Sequence, residues 1–353
     1  MRNPDTPKIL NYLKEKQHFG FKESYQLMLN LMENQFSASQ IGAILYAYSQ
    51  KDETPQEIAG FASAMRAKAT PFPISKKIMV IDNCGTGGDG KRTFNISTAS
   101  ALLANAMGLK VIKHGNRSVT SNCGSADFLE ALGFQINLPV EKMKKFFDQT
   151  GFAFLYAPLY HPAMKAVQQA RKELGIPTIF NLLGPLTNPA PITHKVIGVC
   201  KPNLVDLVAQ ALLHLNIQRG LVFWGEPGID EVSICGITRM ALIDKGKIQT
   251  WNFSPDQVGL KVNLINGLSG GSPEKNAHLF NELLKGKKIR GTLGRAVILN
   301  TAFLVWLLYP EKNLREIYQR IEDRIRSGEA YKKIQNLIIF NQSFNDLKKG
   351  EEK

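Results

Sequence analysis

Two hydrophobic periodicities divide the chain. Over the first seventy residues apolar side chains recur at helical spacing. Ser37-x-x-Gln40 forms a capping box ahead of Ile41, Ile44, Leu45 and Tyr48. Thr54-Pro55-x-Glu57 repeats the device ahead of Ile58, Phe61 and Met65, with proline at the first helical position. A proline-punctuated connector, residues 70–77, closes this region. After it, short β-prone runs alternate with helical ones. Strands are expected at 78–82, 109–113, 134–138, 152–155, 195–200, 220–224 and 240–243, and helices at 97–107, 125–132, 139–149, 161–174 and 203–215. Such alternation builds βαβ units and a mostly parallel sheet flanked by helices. From residue 273 the pattern is again mainly helical. The expected fold class is therefore α/β, with a small N-terminal helical domain (1–70) on a large α/β domain (71–353).

Charge adds to this picture. The 353 residues carry 44 Lys and Arg against 30 Asp and Glu, a net +14. A basic balance suits phosphate, nucleic acid or acidic lipid as partner. Many of the lysines, such as Lys142, Lys144, Lys145, Lys285, Lys287, Lys288, Lys348 and Lys349, equally read as solvent faces of helices. The longest apolar stretch, residues 302–309, is far short of a membrane span. Pro4 and Asp5 stand where a secretory signal would have its apolar region, so a cytoplasmic location is expected. The cysteines at 84, 123, 200 and 235 form neither a CxxC pair nor a zinc spacing and read as reduced thiols.

The densest chemistry lies at 84–99, "CGTGGDGKRTFNISTA", between an expected strand and an expected helix. In a parallel sheet ligands bind there, at the carboxyl ends of the strands. Gly85, Gly87, Gly88 and Gly90 let backbone N–H groups approach an oxyanion with no Cβ in the way. The segment from Asn95 to Thr98 opens the helix, whose free N–H groups favour an anion. Hydroxyls of Thr93, Ser97 and Thr98 add donors. The spacing of Gly85, Gly87 and Gly90 also fits the dinucleotide pattern, which needs an acid at the end of the second strand. Here that strand ends in Lys113-His114-Gly115-Asn116-Arg117, with three potentially cationic side chains instead. That composition excludes a bare ribose diol and favours more phosphate. No Gly-Lys-Ser/Thr follows the glycines, so a Walker A loop is also excluded. A third hydroxyl-rich loop runs from Ser118 to Ser125. An empty glycine turn is the alternative, and two successive strand ends with oxyanion-binding groups weigh against it.

A magnesium–phosphate ligand also needs carboxylates. "FWGEPGIDEVS", 223–233, offers Asp230 and Glu231 after a strand. Adjacent loop acids are usually solvated charges, but facing a phosphate site they suit Mg²⁺, with the Ser97 hydroxyl completing the sphere.

Four motifs in order, "GTGGDG…TFNISTA", "KHGNRSV…GSAD.LEALG", "R.ELGIPTIFNLLGPLTNPA" and "GEPGIDEVS", resemble those of the anthranilate phosphoribosyltransferases, from about residue 10 to about 340. The resemblance implies the two-domain architecture with part of about 160–190 joining the helical domain, a homodimer, and Mg²⁺, two ions per monomer. It implies transfer of phosphoribose from phosphoribosyl pyrophosphate to the anthranilate amine in tryptophan biosynthesis. Carried over by position, Gly85, Gly88, Asp89, Thr93, Asn95, Ile96, Ser97 and Thr98 match contacts to phosphoribosyl pyrophosphate. So do Lys113, His114, Gly115, Asn116, Arg117, Ser118, Val119, Thr120, Ser121 and Ser125. Gly85, Asn116 and Arg171 match anthranilate contacts, and Ser97, Asp230 and Glu231 the metal ligands. Asn122-Cys123 and Ile237 depart from the family's usual Lys-Ser or Gln-Ser and proline.

The implied displacement at an anomeric carbon passes through an oxocarbenium-like state, and Mg²⁺ and Lys113 would stabilise the leaving pyrophosphate. A neutral aromatic amine needs no strong base. Arg171 is the expected fork for the anthranilate carboxylate, although its sequence surroundings alone read as an exposed helix arginine. His114, the one catalytic candidate, either orients the ring, takes a proton late, or is a hydrogen-bonded loop histidine. Two rivals stand beside this reading. A pyrimidine nucleoside phosphorylase-like enzyme needs no acid pair. A non-catalytic nucleic-acid-binding relative, which the charge suggests, need not retain the glycine loop. Neither nucleic acid nor a membrane is an expected partner.

Overall fold

The computed structural model describes residues 5–75, 77–118 and 122–346. It begins with four helices, α1 Thr6–Lys14, α2 Phe21–Met32, α3 Ala38–Ser49 and α4 Pro55–Ala67. Both expected capping boxes form: the Ser37 and Thr54 side chains accept from the backbone N–H groups of Gln40 and Glu57. Glu57 does more than cap. It is wholly buried and accepts from Lys51 Nζ at 2.7 and 2.9 Å, from the N–H groups of Phe19 and Thr54, and from the Tyr48 hydroxyl. Removing one partner of such a pair leaves a buried charge uncompensated. Glu57→Ala should therefore cost about 3–5 kcal/mol in a urea unfolding curve followed by circular dichroism. An unchanged midpoint would show that the pair adds nothing to stability.

The α/β part begins with β1 Ile81–Gly85 and continues through α5 Ile96–Ala106, β2 Val111–Gly115, α6 Ser125–Ala131, α7 Val140–Thr150 and β3 Phe152–Tyr156. The chain then leaves the sheet through α8 Ala157–Tyr160, α9 Lys165–Leu174 and α10 Phe180–Leu183. It returns as β4 His194–Gly198, α11 Leu204–His214, β5 Arg219–Gly225 and the hairpin β6 Thr238–Asp244 and β7 Lys247–Phe253. Helices α12 Pro273–Leu284, α13 Thr292–Leu308, α14 Leu314–Arg326 and α15 Glu329–Asp346 follow. The sheet order is β3-β2-β1-β4-β5-β6-β7, parallel from β3 to β5 and antiparallel through β6 and β7. After β1 the chain builds outward to one side, and with β4 it crosses to the other. The change of direction between β1 and β4 opens a crevice at their carboxyl ends, where open parallel sheets bind ligands.

Two cores cover the sheet. One packs α5, α6, α7 and the C-terminal helices on one face. At its centre α13 is apolar almost all round, which accounts for the 302–309 run as a buried helix. The other core joins the N-terminal helices to α11 and to the opposite face of β4, β5 and β6. Val167, Ala170, Ile179, Phe180, Leu183 and Leu186, from the excursion between β3 and β4, belong to this second core. Arg66 of α4 ties the same excursion down by donating to the Leu186 carbonyl at 2.7 Å.

Two expectations are corrected. Residues 134–138 form no strand. They run beside α15, where the Gln135 N–H donates to the Asn341 side chain instead of to a ladder. Strand β7 was not expected: it is an edge strand of mixed exposure, reached through Lys245-Gly246 with φ of 48° and 76°. Two left-handed residues make the twist-matched hairpin turn.

Candidate active site

The carboxyl ends of three adjacent strands, β1, β4 and β5, each finish in glycine: Gly85, Gly198 and Gly225. The segment 226–233 lies directly across them. A Cβ on Gly198 would stand 1.7 Å from the Asp230 carbonyl oxygen, one on Gly85 2.0 Å from Asp230 Oδ2, and one on Gly225 2.4 Å from the Glu231 carbonyl oxygen. Only glycine allows this approach. The loop is also pinned from α13, where Asn300 Oδ1 accepts from the Val232 N–H and Asn300 Nδ2 donates to the Val232 carbonyl.

Both acids then face the glycine loop. The Gly87 N–H donates to Asp230 Oδ2 at 2.8 Å, and the Ser97 N–H, in the first turn of α5, donates to Glu231 Oε1 at 2.9 Å. Gly85, Ser97, Asp230 and Glu231 line one cleft with Asn83, Cys84, Gly198 and Asn300. The alternative of merely solvated loop acids does not fit: Glu231 is buried and Asp230 half-buried. Burial, with the charge of Asp89 behind it, pushes Asp230 up from 3.8 to about 6. Burial and then the charge of Asp230 hold Glu231 well above the usual carboxylate range. A buried and a half-buried acid with depressed ionisation are a pair that a cation would stabilise in charged form.

The donor set fits magnesium. No group of three His, Cys, Asp or Glu residues placed to hold a metal occurs among the described residues. An ion at Asp230, Glu231 and the Ser97 hydroxyl would thus draw its other oxygens from water and substrate, as Mg²⁺ prefers.

Around the cleft, the Lys113 side chain is buried and donates to the Asn83 carbonyl at 2.6 Å. Beneath them Asp82 is paired with Lys195 across the β1–β4 register, both wholly buried. Asn95 Nδ2 donates to the Cys123 carbonyl and Asn95 Oδ1 accepts from Asn276, which joins the start of α5 to the third loop. Thr93 bridges Ser269, Ile96 and Thr98 are buried, and Asp89 Oδ1 accepts from the Lys91 N–H. Gly88 stands in the left-handed region at φ 78°. The Asn116 carbonyl accepts from the Ser125 hydroxyl, where a Cβ on Gly115 would clash at 2.2 Å. Ser118 N–H donates to Asp127. Arg117 is committed to Asp127 at 2.9 Å and Glu130 at 2.8 Å. Val119, Thr120 and Ser121 lie outside the described residues.

His114 is not a cation. Burial, and after it His161 at a ring separation of 5.0 Å, push it down to about 3. His161 itself is held at about 4 by burial. Both imidazoles are neutral near pH 7, and the Nε2 atoms of both have no hydrogen-bond partner among the described residues. Arg171 does not line the metal-side cleft. It stands half-buried on α9, its guanidinium 4.7 Å from the Phe180 ring centre. Sequence reading missed Asn300, although a lone amide inside an apolar helix is a signal. It also missed His161 and Gly198.

Residues 77–331 match the glycosyl transferase family a/b domain, and residues 7–69 match its helical bundle domain. The chain is 42% identical over 328 residues to the anthranilate phosphoribosyltransferase of Moorella thermoacetica, covering 93% of this chain and 96% of that one. The chain belongs to the anthranilate phosphoribosyltransferase family. Among solved structures, the family's enzyme from Thermus thermophilus superposes with a TM-score of 0.87 at 39% identity, covering 95% of this chain and 99% of that one. The enzyme from Saccharomyces cerevisiae, solved in complex with PRPP and Mg, superposes with a TM-score of 0.85 at 27% identity, covering 96% and 98%. The anthranilate phosphoribosyltransferase fold and its Gly-rich β1–α5 loop thus stand on one sheet with the acid loop.

Proposed function

We infer that the protein transfers the phosphoribosyl group of phosphoribosyl pyrophosphate to the amine of anthranilate. The products are N-(5-phosphoribosyl)anthranilate and pyrophosphate, a step of tryptophan biosynthesis. The observation that carries this reading is the meeting of a glycine loop and the Asp230–Glu231 pair at the β1–β4 switch point. Mg²⁺, two ions per protomer, would neutralise the pyrophosphate oxygens from Asp230, Glu231 and Ser97.

The remaining work falls to the chain's own residues. Backbone N–H groups of the 85–98 loop and polar groups of residues 113–118 and Ser125 are assigned to the phosphates and hold C1 of the ribose toward the nucleophile. The C1–O bond to pyrophosphate breaks, the C1–N bond forms, the amine nitrogen gives up one proton to solvent or the departing pyrophosphate, and charge grows on the leaving group next to Lys113. The amine is already neutral, so positioning supplies much of the rate. His114 is neutral and its buried Nε2 has no partner among the described residues, which leaves that atom open to a hydrogen bond with the amine and gives it no charge to donate. The acid pair favours this reading over a nucleoside phosphorylase, which handles a single phosphate without metal. A homodimer in the cytoplasm, with residues 1–70 and part of 160–190 as the helical domain, completes the proposal. Among the described residues no helix is long and apolar enough to cross a membrane.

Mixing the protein with anthranilate, phosphoribosyl pyrophosphate and Mg²⁺ should extinguish anthranilate fluorescence and release pyrophosphate in equal amount. No loss of fluorescence in that mixture would reject the activity. Arg171 is assigned to the anthranilate carboxylate. Arg171→Ala should lower kcat/KM for anthranilate about ten- to a hundredfold, the value of a charge-assisted bond of about 1.5–3 kcal/mol, and leave the KM for phosphoribosyl pyrophosphate almost unchanged. Arg171→Lys should recover only part of the loss, because a point charge lacks the planar fork. Equal damage to both KM values would return Arg171 to a helix-surface role.

A further inference from the structure

We propose that Lys91 and Arg92 form a cationic lip on the glycine loop that captures the pyrophosphate end of the donor and selects it over monophosphates. This rests on the donor assigned above and adds two residues that neither the four motifs nor the metal-side cleft includes.

Three independent observations support it. The first is charge. Asp89, Asp230 and Glu231 gather at one mouth, where Asp89 and Asp230 repel each other and the buried Lys113 favours the charged form of Asp230 and Glu231. One oxygen of Asp89, Oδ2, is buried without a partner among the described residues. With Mg²⁺ held at Asp230 and Glu231, the polyanionic donor and Asp89 still leave excess negative charge at the mouth, which exposed rim cations would offset. On the second strand the rim cation Arg117 is already held by Asp127 and Glu130. Lys91 and Arg92 are exposed and make no ion pair among the described residues.

The second is backbone strain. Arg92 has φ 51°. The other left-handed residues with side chains are Lys16, Asn34, Asn216, Lys245 and Lys288. Lys16, Asn34 and Asn216 stand two residues past a helix end, Lys245 turns the β6–β7 hairpin, and Lys288 lies in the turn between α12 and α13. Arg92 does none of these. It stands in a loop that already uses glycine at three left-handed positions, 87, 88 and 90. An arginine kept where glycine is the comfortable choice points to use of its side chain.

The third is placement. The loop cannot drift: the Arg92 carbonyl accepts from the Gly270 N–H at 3.1 Å, Thr93 bridges Ser269, and the Phe94 N–H donates to the Leu268 carbonyl at 2.8 Å. Lys91 leans over the acid loop, its Cε 3.8 Å from where a Cβ of Gly228 would lie. One lip residue therefore stands beside the segment that carries Asp230, and the other is its neighbour in a stitched loop.

The test uses Lys91→Gln with Arg92→Asn, since asparagine tolerates the left-handed backbone. Binding of pyrophosphate and of inorganic phosphate, each with Mg²⁺, is measured by calorimetry. In parallel, kcat/KM for phosphoribosyl pyrophosphate is followed against NaCl. The double variant should keep its circular dichroism spectrum and its KM for anthranilate. It should lose about tenfold in pyrophosphate affinity and about threefold or less for phosphate, and its kcat/KM should fall less steeply with salt. Wild-type and variant proteins with equal pyrophosphate affinity and equal salt slopes overturn the lip. A wild-type protein that binds neither phosphoribosyl pyrophosphate nor pyrophosphate overturns the donor reading itself.

Discussion

Asp230→Asn with Glu231→Gln should give a protein that is inactive, indifferent to Mg²⁺, and more resistant to heat than the metal-free parent near neutral pH. The first two outcomes follow from taking away both carboxylates of the proposed cation site, with a loss of at least about a thousandfold in turnover. The third follows from the burial of the pair. Asp230 binds its proton more tightly in the folded chain, near 6, than its ordinary 3.8. The folded state thus holds more protons than the unfolded state between those values, and stability falls as pH rises through that window. The contribution is fully present below about pH 4 and lost above about pH 6, at a cost of up to about 3 kcal/mol for Asp230. Glu231, shifted in the same direction, adds to it. The neutral amides carry no such penalty. Thermal unfolding at pH 5 and pH 8, with and without Mg²⁺, reads all of this. The parent should gain stability from Mg²⁺ at pH 8 and the variant should not. A variant less stable than the parent at pH 8 without metal would contradict the assigned burial of charge.

That expectation differs from what the amino-acid sequence alone suggests, and the reason is physical. "GEPGIDEVS" reads as an exposed loop because its residues are small, polar and turn-forming. What buries it are three strand-end glycines far apart in sequence, 85, 198 and 225, and an amide on α13. No local pattern records their meeting. Local patterns did carry the capping boxes at Ser37 and Thr54, the glycine loop, and the alternation that builds the parallel sheet. They failed at 134–138, where apolar alternation serves packing against α15 and not a ladder. They also failed at His114, whose neutrality depends on burial beside His161, 47 positions further on. Chemistry made by one segment was legible. Chemistry made by the distance between segments was not.

The close approach of the acid loop to the strand ends gives an ordered series of glycine variants, led by Gly198→Ala. Its added methyl would lie 1.7 Å from the Asp230 carbonyl oxygen and 2.4 Å from its carbonyl carbon. Both are backbone atoms, so the loop itself must move by more than an ångström. A displacement of that size at a reacting centre costs about a hundredfold. Gly85→Ala meets Asp230 Oδ2 at 2.0 Å and Cγ at 2.7 Å, side-chain atoms that can swing away. The carboxylate would then lose the Gly87 N–H but the loop could stay, so the fall should be smaller and should appear first in the Mg²⁺ requirement. Gly87→Ala meets nothing within 4 Å and is strained only by φ 64°. A left-handed alanine costs about 1–2 kcal/mol, so it should be the mildest of the three. Measuring kcat/KM for phosphoribosyl pyrophosphate across a Mg²⁺ titration ranks them. If Gly198→Ala retains the parent's rate and metal dependence, the contact between strand end and backbone is not what holds Asp230 in place. If Gly87→Ala is instead the most damaged, the glycine loop reads its ligand through left-handed backbone more than through the acid pair.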